Sequence, residues 1–391
     1  MTTAIIITIC CLLLVSYLFE LSSSRTKIPS VILLLALGWT AGYGLKLLHF
    51  QLMDLSSVLQ FLGAIGLILI VLDGSLELEL NKSKIPKIAT SFWISLLPMI
   101  IMSFLLAFSF HFISGDPLKN CFINAIPFCI ISSAIAIPSV QHLSETNKEF
   151  IIYESSLSDI LGVVFFNFLI FNEAINAYSI ISFGGDLIIM CLISLVATML
   201  LGLILSKIDH HIKFVPIIVL IILIYEISKV YHLPALIFIL LFGIIIGNID
   251  KLKNQKWMQY FQPPVLNTEV FKFKEIVTEG SFLIRSLFFL VFGYLIKIEE
   301  IFNTEALLIS IGIVSCIFIV RYLALKLLKI PVFPLLLIAP RGLITILLFY
   351  SISVAQSISI INRSIIIQVI VFSSLIMMIG LMTNKKQNSL N

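Results

Sequence analysis

The feature that most constrains this chain is a succession of long apolar runs, divided by Gly, Pro and charged residues. A helix needs about 20 mostly apolar residues to cross a bilayer. By that measure thirteen spans fall near 4–20, 29–45, 57–74, 88–113, 120–139, 152–170, 183–206, 214–228, 233–248, 278–296, 305–325, 331–355 and 363–382. Composition agrees. Of 391 residues 60% are hydrophobic and 12% charged, more apolar surface than an interior of that size can hide. The chain reads as an all-α polytopic membrane protein, with 1–391 forming a single transmembrane domain. The first run reads as a mature span, since Arg25 and Lys27 follow it where a secretory signal would have a small-residue cleavage site. No room remains for a soluble nucleotide-binding or regulatory domain, and no nucleic-acid partner is expected.

Six cysteines lie in or beside apolar stretches without a C-x-x-C pair, and six histidines include no H-E-x-x-H. The cysteines read as packing residues, and no metal centre or cofactor is implied.

Charge placement tests the span count, because cytoplasmic loops collect Lys and Arg. With the amino terminus outside and the carboxy terminus cytoplasmic, the 25 basic residues divide into 17 in cytoplasmic loops, 5 in outside loops and 3 within spans: Arg285, Arg321 and Arg341. The longest connection, 249–277, is basic and carries Trp257, Met258, Tyr260 and Phe261, which suits a segment lying on the cytoplasmic membrane surface.

Two inverted repeats, roughly 1–175 and 210–384, are suggested by a weak internal similarity. Ile68–Leu80 and Phe288–Glu300 align on Gly74 and Gly293, seven spans apart and therefore antiparallel. The same offset pairs the fifth and twelfth spans, both interrupted: one by Ser132, Ser133 and Pro138, the other by Ala339-Pro340-Arg341-Gly342. Backbone groups freed by such breaks are tolerated at membrane depth only where protein or a water-filled cavity satisfies them. Crossed discontinuous helices with a binding site between them are expected.

Ionisable residues within spans typically cost ~2.5–3.5 kcal/mol on insertion scales, so each needs a partner or a purpose. In the sixth span Glu154, Ser155, Ser158 and Asp159 share one helix face, an array of hard oxygen donors that suits a small alkali cation and contains acids able to take up protons. Asp159 is the expected exchange site. Arg285 lies at a similar depth in the tenth span and calls for an acidic partner or a helix end. Arg341, at the twelfth-span break, is expected to organise the site, with Ser132 and Ser133 across from it. Arg321 reads as snorkelling to the interface. Asp73, near the inner end of the third span, reads either as part of a cytoplasmic funnel or as an interfacial cap, and Glu20 and Glu226 read as span-end residues.

These residues resemble the monovalent cation:proton antiporter superfamily, which includes sodium/hydrogen exchangers and Kef-type potassium transporters. The resemblance rests on the Glu154-Ser155-x-Leu157-x-Asp159 run, on Arg285-Ser286-Leu287-Phe288-Phe289, on Pro340-Arg341-Gly342 and on the Leu72-Asp73-Gly74-x-Leu76-Glu77-Leu78 exit of the third span. It implies that a cation and protons compete for Asp159, that Glu154 pairs with Arg341, and that a core domain moves against a dimerisation domain of a homodimer in the inner (plasma) membrane. Two departures stand out. Ser158 occupies a position that is usually Asn or a second Asp, and Ala136-Ile137-Pro138 supplies no carboxylate at the fifth-span break. Sodium and potassium both remain open, and a single buried acid implies one cation per proton.

The alternative from another class is a passive cation channel or gradient sensor on the same fold, although the sequence holds no filter-like repeat of Gly and Thr. An intramembrane enzyme would need a second catalytic acid. Only Gly184-Gly185-Asp186 resembles such an element, and it has no partner.

Overall fold

The computed structural model describes residues 2–26, 28–47, 54–78, 85–141, 143–172, 176–207, 213–231, 233–252 and 263–383, and within them all regular structure is helical. The helices are α1 (Thr2–Thr26), α2 (Ser30–Leu47), α3 (Ser56–Glu77), α4 (Ile85–Ser114), α5 (Leu118–Cys129), α6 (Ser133–Ser139), α7 (Glu145–Phe171), α8 (Ala177–Lys207), α9 (Phe214–Val230), α10 (Leu236–Gly247), α11 (Pro263–Leu295), α12 (Ile298–Ile301), α13 (Thr304–Leu327), α14 (Leu343–Ser351) and α15 (Arg363–Thr383). Counting α5 and α6 as one interrupted unit, nine helices among the described residues are long and apolar enough to cross a membrane.

Two bundles result. In one, α11 lies against α2 and α3, α10 against α3 and α8, and α1 and α9 at the periphery; in the other, α4 and α5 surround α7 while α13 packs on α15 and α4. The bundles meet where α3 touches α6, α7 and α14.

Small residues bring helices of the first bundle into backbone contact. A Cβ added at Gly38 would meet the Leu290 carbonyl, and one at Gly293 the Leu35 carbonyl, so α2 and α11 touch main chain to main chain. Gly243 and Gly247 bring α10 equally close to Ser75 and Leu76 of α3, and Asn248 seals that contact by donating to Leu78 O (2.7 Å). This is the small-xxx-small logic by which helices associate in lipid, where no hydrophobic force drives them together. Gly293→Val is therefore expected to lower thermal stability by about 1–3 kcal/mol through overpacking. A thermal-shift measurement in detergent that returned the wild-type midpoint would refute the contact.

Three expectations change. The surface segment is the first: 253–262, with Trp257, Met258, Tyr260 and Phe261, lies outside the described residues, but 263–277 continues α11 as helix. Its buried residues Glu269, Phe273, Val277, Ser281 and Arg285 recur every four positions, so this stretch has one inward stripe. The second is the cysteines: all six are free, but Cys10, Cys11 and Cys191 are exposed on the outer surface of their helices, and only Cys121 and Cys129 are buried. The third is the fifth and twelfth spans, which break more completely than Pro alone requires. Residues 130–132 are extended between α5 and α6, and a 3-10 turn at Leu335–Leu337 is separated from α14 by the irregular stretch 338–342.

Candidate functional site

The two breaks cross. Ser132 N–H donates to Pro340 O (2.9 Å), so the extended backbone of each unit satisfies the other, while Arg341 N–H is taken by Ser373 Oγ of α15 (3.0 Å). Orphan carbonyls at the end of α5 find side-chain donors: Arg341 Nε donates to Phe128 O (2.6 Å) and Thr345 Oγ1 to Pro127 O (3.0 Å), while Arg341 Nη1 donates to Ala339 O of its own broken stretch (3.0 Å). Gly342 favours this closeness, because a Cβ there would press on the Ile135 side chain and on Ser132 Oγ.

Helix α7 presents its acids to this crossing. Asp159, 1% exposed, accepts through Oδ2 from Ser133 N–H (3.2 Å) and from the Ser133 hydroxyl. The Ser133 N–H belongs to the first turn of α6, where helix N–H groups have no intrahelical partner and favour an anion. One residue earlier, Ser158 Oγ accepts from Ile131 N–H of the break (2.9 Å). Consecutive residues of α7 thus hold the extended segment at both ends. Among the described residues Asp159 Oδ1 and Ser132 Oγ have no hydrogen-bond partner although both are buried, and Ser156 Oγ is a third such atom. Gly162, one turn further along α7, makes room for the Ile130 side chain. Ser155 Oγ turns back to Ile151 O (2.7 Å).

Glu154 does not pair with Arg341. Its two carboxylate oxygens receive the Arg321 guanidinium in a bidentate fork, Nη1 to Oε1 and Nη2 to Oε2 (2.9 Å), and Arg321 Nε continues to Leu335 O (3.0 Å). Both side chains are buried, so Arg321 does not snorkel; it ties α7, α13 and the 3-10 turn together. The geometric reason is depth. Arg321 sits less than two turns from the carboxy-terminal end of α13, at the level of Glu154 on α7, whereas Arg341 is drawn to carbonyls at the crossing. Ser95 of α4 adds a bond to the Glu154 backbone carbonyl (2.9 Å).

The remaining charges lie in the first bundle. Arg285 Nη2 donates to Glu20 Oε1 of α1 (3.2 Å), and Glu20 Oε2 accepts from Ser30 (2.5 Å), so the acidic partner is a residue read from sequence as a bland span end. Arg285 braces α1 and α2 against α11. Asp73 Oδ1 accepts from Thr278 (2.6 Å) in the α3–α11 seam, with Glu77 and Lys274 nearby. Its neighbour Gly74 lies against Ser156 of α7. Sequence reasoning assembled Asp159, Ser158, Ser132 and Ser133, and missed Arg321, Thr345, Ser95 and Ser373. A comparison of span depths could have found Arg321. Thr345 and Ser95 are single hydroxyls in apolar runs and carry no signal of their own, while Ser373 belongs to a Ser373-Ser374 pair in an unbroken apolar run.

Among the described residues no group of His, Cys, Asp and Glu is arranged to hold a resident metal ion. Sequence and structure comparisons bear on this site. The family described as "Sodium/hydrogen exchanger, transmembrane" matches residues 9–384. Among solved structures, that of the sodium proton antiporter MjNhaP1 from Methanocaldococcus jannaschii at pH 8 is similar in fold, with 20% identity, a TM-score of 0.68, and coverage of 97% of this chain and 98% of that one. A second structure of the same antiporter, from an electron-microscopy map, shares 17% identity with a TM-score of 0.69 and covers 100% of both chains. No curated protein matches.

Proposed function

We propose that this chain, which belongs to the sodium/hydrogen exchanger family, moves sodium against protons by letting the two compete for Asp159. The observation that carries the reading is the half-satisfied carboxylate. One oxygen is held by Ser133, while the other is buried with no hydrogen-bond partner among the described residues, as is the hydroxyl of Ser132, the residue before Ser133 at the helix crossing. A proton on Oδ1 or a cation shared between these oxygens would satisfy the same atoms, which is the condition for competition. Ser158 and Ser155 add hydroxyl oxygens on the same face, and Arg341 keeps the crossing in shape. Alternating exposure of the site by movement of one bundle against the other belongs to this reading. So do the two inverted repeats within residues 1–391, an outside amino terminus, the plasma membrane and a homodimer. The lysine bias supports the orientation, and the family resemblance supports the rest.

The test is proton flux in everted vesicles carrying an imposed pH gradient. Addition of sodium is expected to dissipate the gradient, and parallel additions of potassium and lithium rank the ions. Dissipation by potassium alone would make the transported cation potassium. Cation flux without any proton movement would replace exchange with the passive channel.

Exchange is expected to be electroneutral. Ser158 cannot titrate near neutral pH, and Glu154 is occupied by the Arg321 fork, leaving Asp159 as the one acid of the crossing free to alternate. In proteoliposomes clamped with potassium and valinomycin, the sodium-driven rate should not respond to voltage. A steep voltage dependence would mean that a second proton moves in each cycle.

A further inference from the structure

Between the bundles the chain crosses at residues 296–303, which join the end of α11 to the start of α13. This crossover is fastened to α15. The Gln368 amide donates to the carbonyls of Glu300 (3.4 Å), Ile301 (3.0 Å) and Asn303 (3.0 Å), the Asn303 side chain caps α13 by accepting from Ala306 N–H, and Glu300 Oε2 accepts from Lys297 N–H. The crossover is thus bound to the second bundle, and the boundary with the first falls at Leu295, where α11 ends. Arg363, the first residue of α15, reaches over it. Its Nη2 donates to Leu295 O (2.9 Å), and its Nε lies 3.3 Å from Glu300 Oε1. Arg363 also lines a cavity of about 290 Å³, with Ser56 of α3 and Phe292 of α11 on one side and Asn124, Phe349 and Ile366 of the second bundle on the other. Phe349 on that wall is in ring contact (centroids 4.9 Å) with buried Phe128, whose carbonyl Arg341 holds at the crossing.

We propose that Arg363 is an outer latch, a positioning residue that holds the two bundles in the arrangement in which this cavity is present. The inference rests on the reading that the bundles shift during exchange. A backbone carbonyl is a fixed acceptor, so a relative shift of roughly 1–2 Å takes the Arg363–Leu295 bond out of hydrogen-bonding range, while the Gln368 bonds, all on one side of the boundary, survive. The charge assists the bond, and the 38% exposure of the Arg363 side chain moderates it, which suits a contact that must break every cycle.

The test uses the full chain with its six native cysteines replaced and a single Ile366→Cys reporter on the cavity wall, labelled by a membrane-impermeant maleimide in sealed vesicles of each orientation. Arg363→Gln should slow labelling about three- to tenfold by depopulating the latched state. It should also raise the apparent KM for sodium added on that face while leaving the maximal rate near wild type. Arg363→Lys, which keeps the charge and a donor nitrogen, should restore most of both. Labelling and KM within about twofold of wild type in a folded, transporting Arg363→Gln protein would overturn the latch, since a state-selective contact must change the populations. Slowed labelling in a protein whose wild type moves no protons would support the latch and sink the exchange reading.

Discussion

Asp159→Asn is expected to abolish sodium-dependent proton movement without unfolding the protein. The carboxamide has the shape of the carboxylate, and its oxygen can accept the Ser133 N–H and hydroxyl that now bind Oδ2. It cannot take up a proton near neutral pH, and it offers no net charge to a dehydrated cation, so both halves of the cycle fail together. Stability moves in the opposite direction. A buried carboxylate with one unpartnered oxygen is costly to keep charged, so the neutral variant should melt at or above the wild-type temperature in detergent. Flux and thermal melting need to be measured on the same preparation. Sodium-dependent proton movement at the wild-type rate in well-folded Asp159→Asn protein would remove Asp159 from the mechanism, whereas loss of both flux and fold would mark it as structural.

The largest stability effect is expected at the Glu154–Arg321 fork. Each side chain is almost fully buried, so removing one charge strands the other where water cannot solvate it, which typically costs ~3–5 kcal/mol. Glu154→Gln and Arg321→Gln should each lower the melting temperature substantially, and the double variant should recover a large part of the loss. Arg341 supplies the control. Because it donates to the carbonyls of Phe128 and Ala339, Arg341→Gln should destabilise on its own and combine with Glu154→Gln almost additively. A cycle in which Glu154 couples to Arg341 and not to Arg321 would restore the pairing expected from family resemblance and disprove the fork.

The error over that pairing shows what one-dimensional reading reaches. Arg321 and Arg341 are the same residue type in neighbouring spans, and motif matching singled out the one beside Pro340 and Gly342. Which of them meets Glu154 depends on where antiparallel helices place their side chains along the membrane normal, and on which carbonyls the helix breaks leave free. Glu20 was misread for a related reason: at the end of its span it looks solvated, and only the packing of α1 on α11 brings Arg285 to it. Ser132 and Ser133 were legible because a hydroxyl pair between apolar residues near Pro138 is a local anomaly; Thr345 and Ser95 are lone hydroxyls without any such mark, and the Ser373-Ser374 pair has no Pro or Gly beside it to signal a break.

The sequence by itself determined the solvent, the helical class, the two interrupted units and the acid that faces their crossing. Each of these is a short-range property: a bilayer demands about 20 apolar residues in a row, Pro and Gly break helices where they stand, and a helix face is set by spacing of three and four residues. Tertiary structure decided the partners. The Glu154–Arg321 fork joins residues 167 apart, and Ser132 N–H finds Pro340 O on another unit altogether. Such contacts follow from the room that Gly342 and Gly162 leave for the Ile135 and Ile130 side chains and from the mutual satisfaction of two broken helices in a medium with no water to substitute. No pattern along the chain encodes that, because it arises only when both segments are folded against each other.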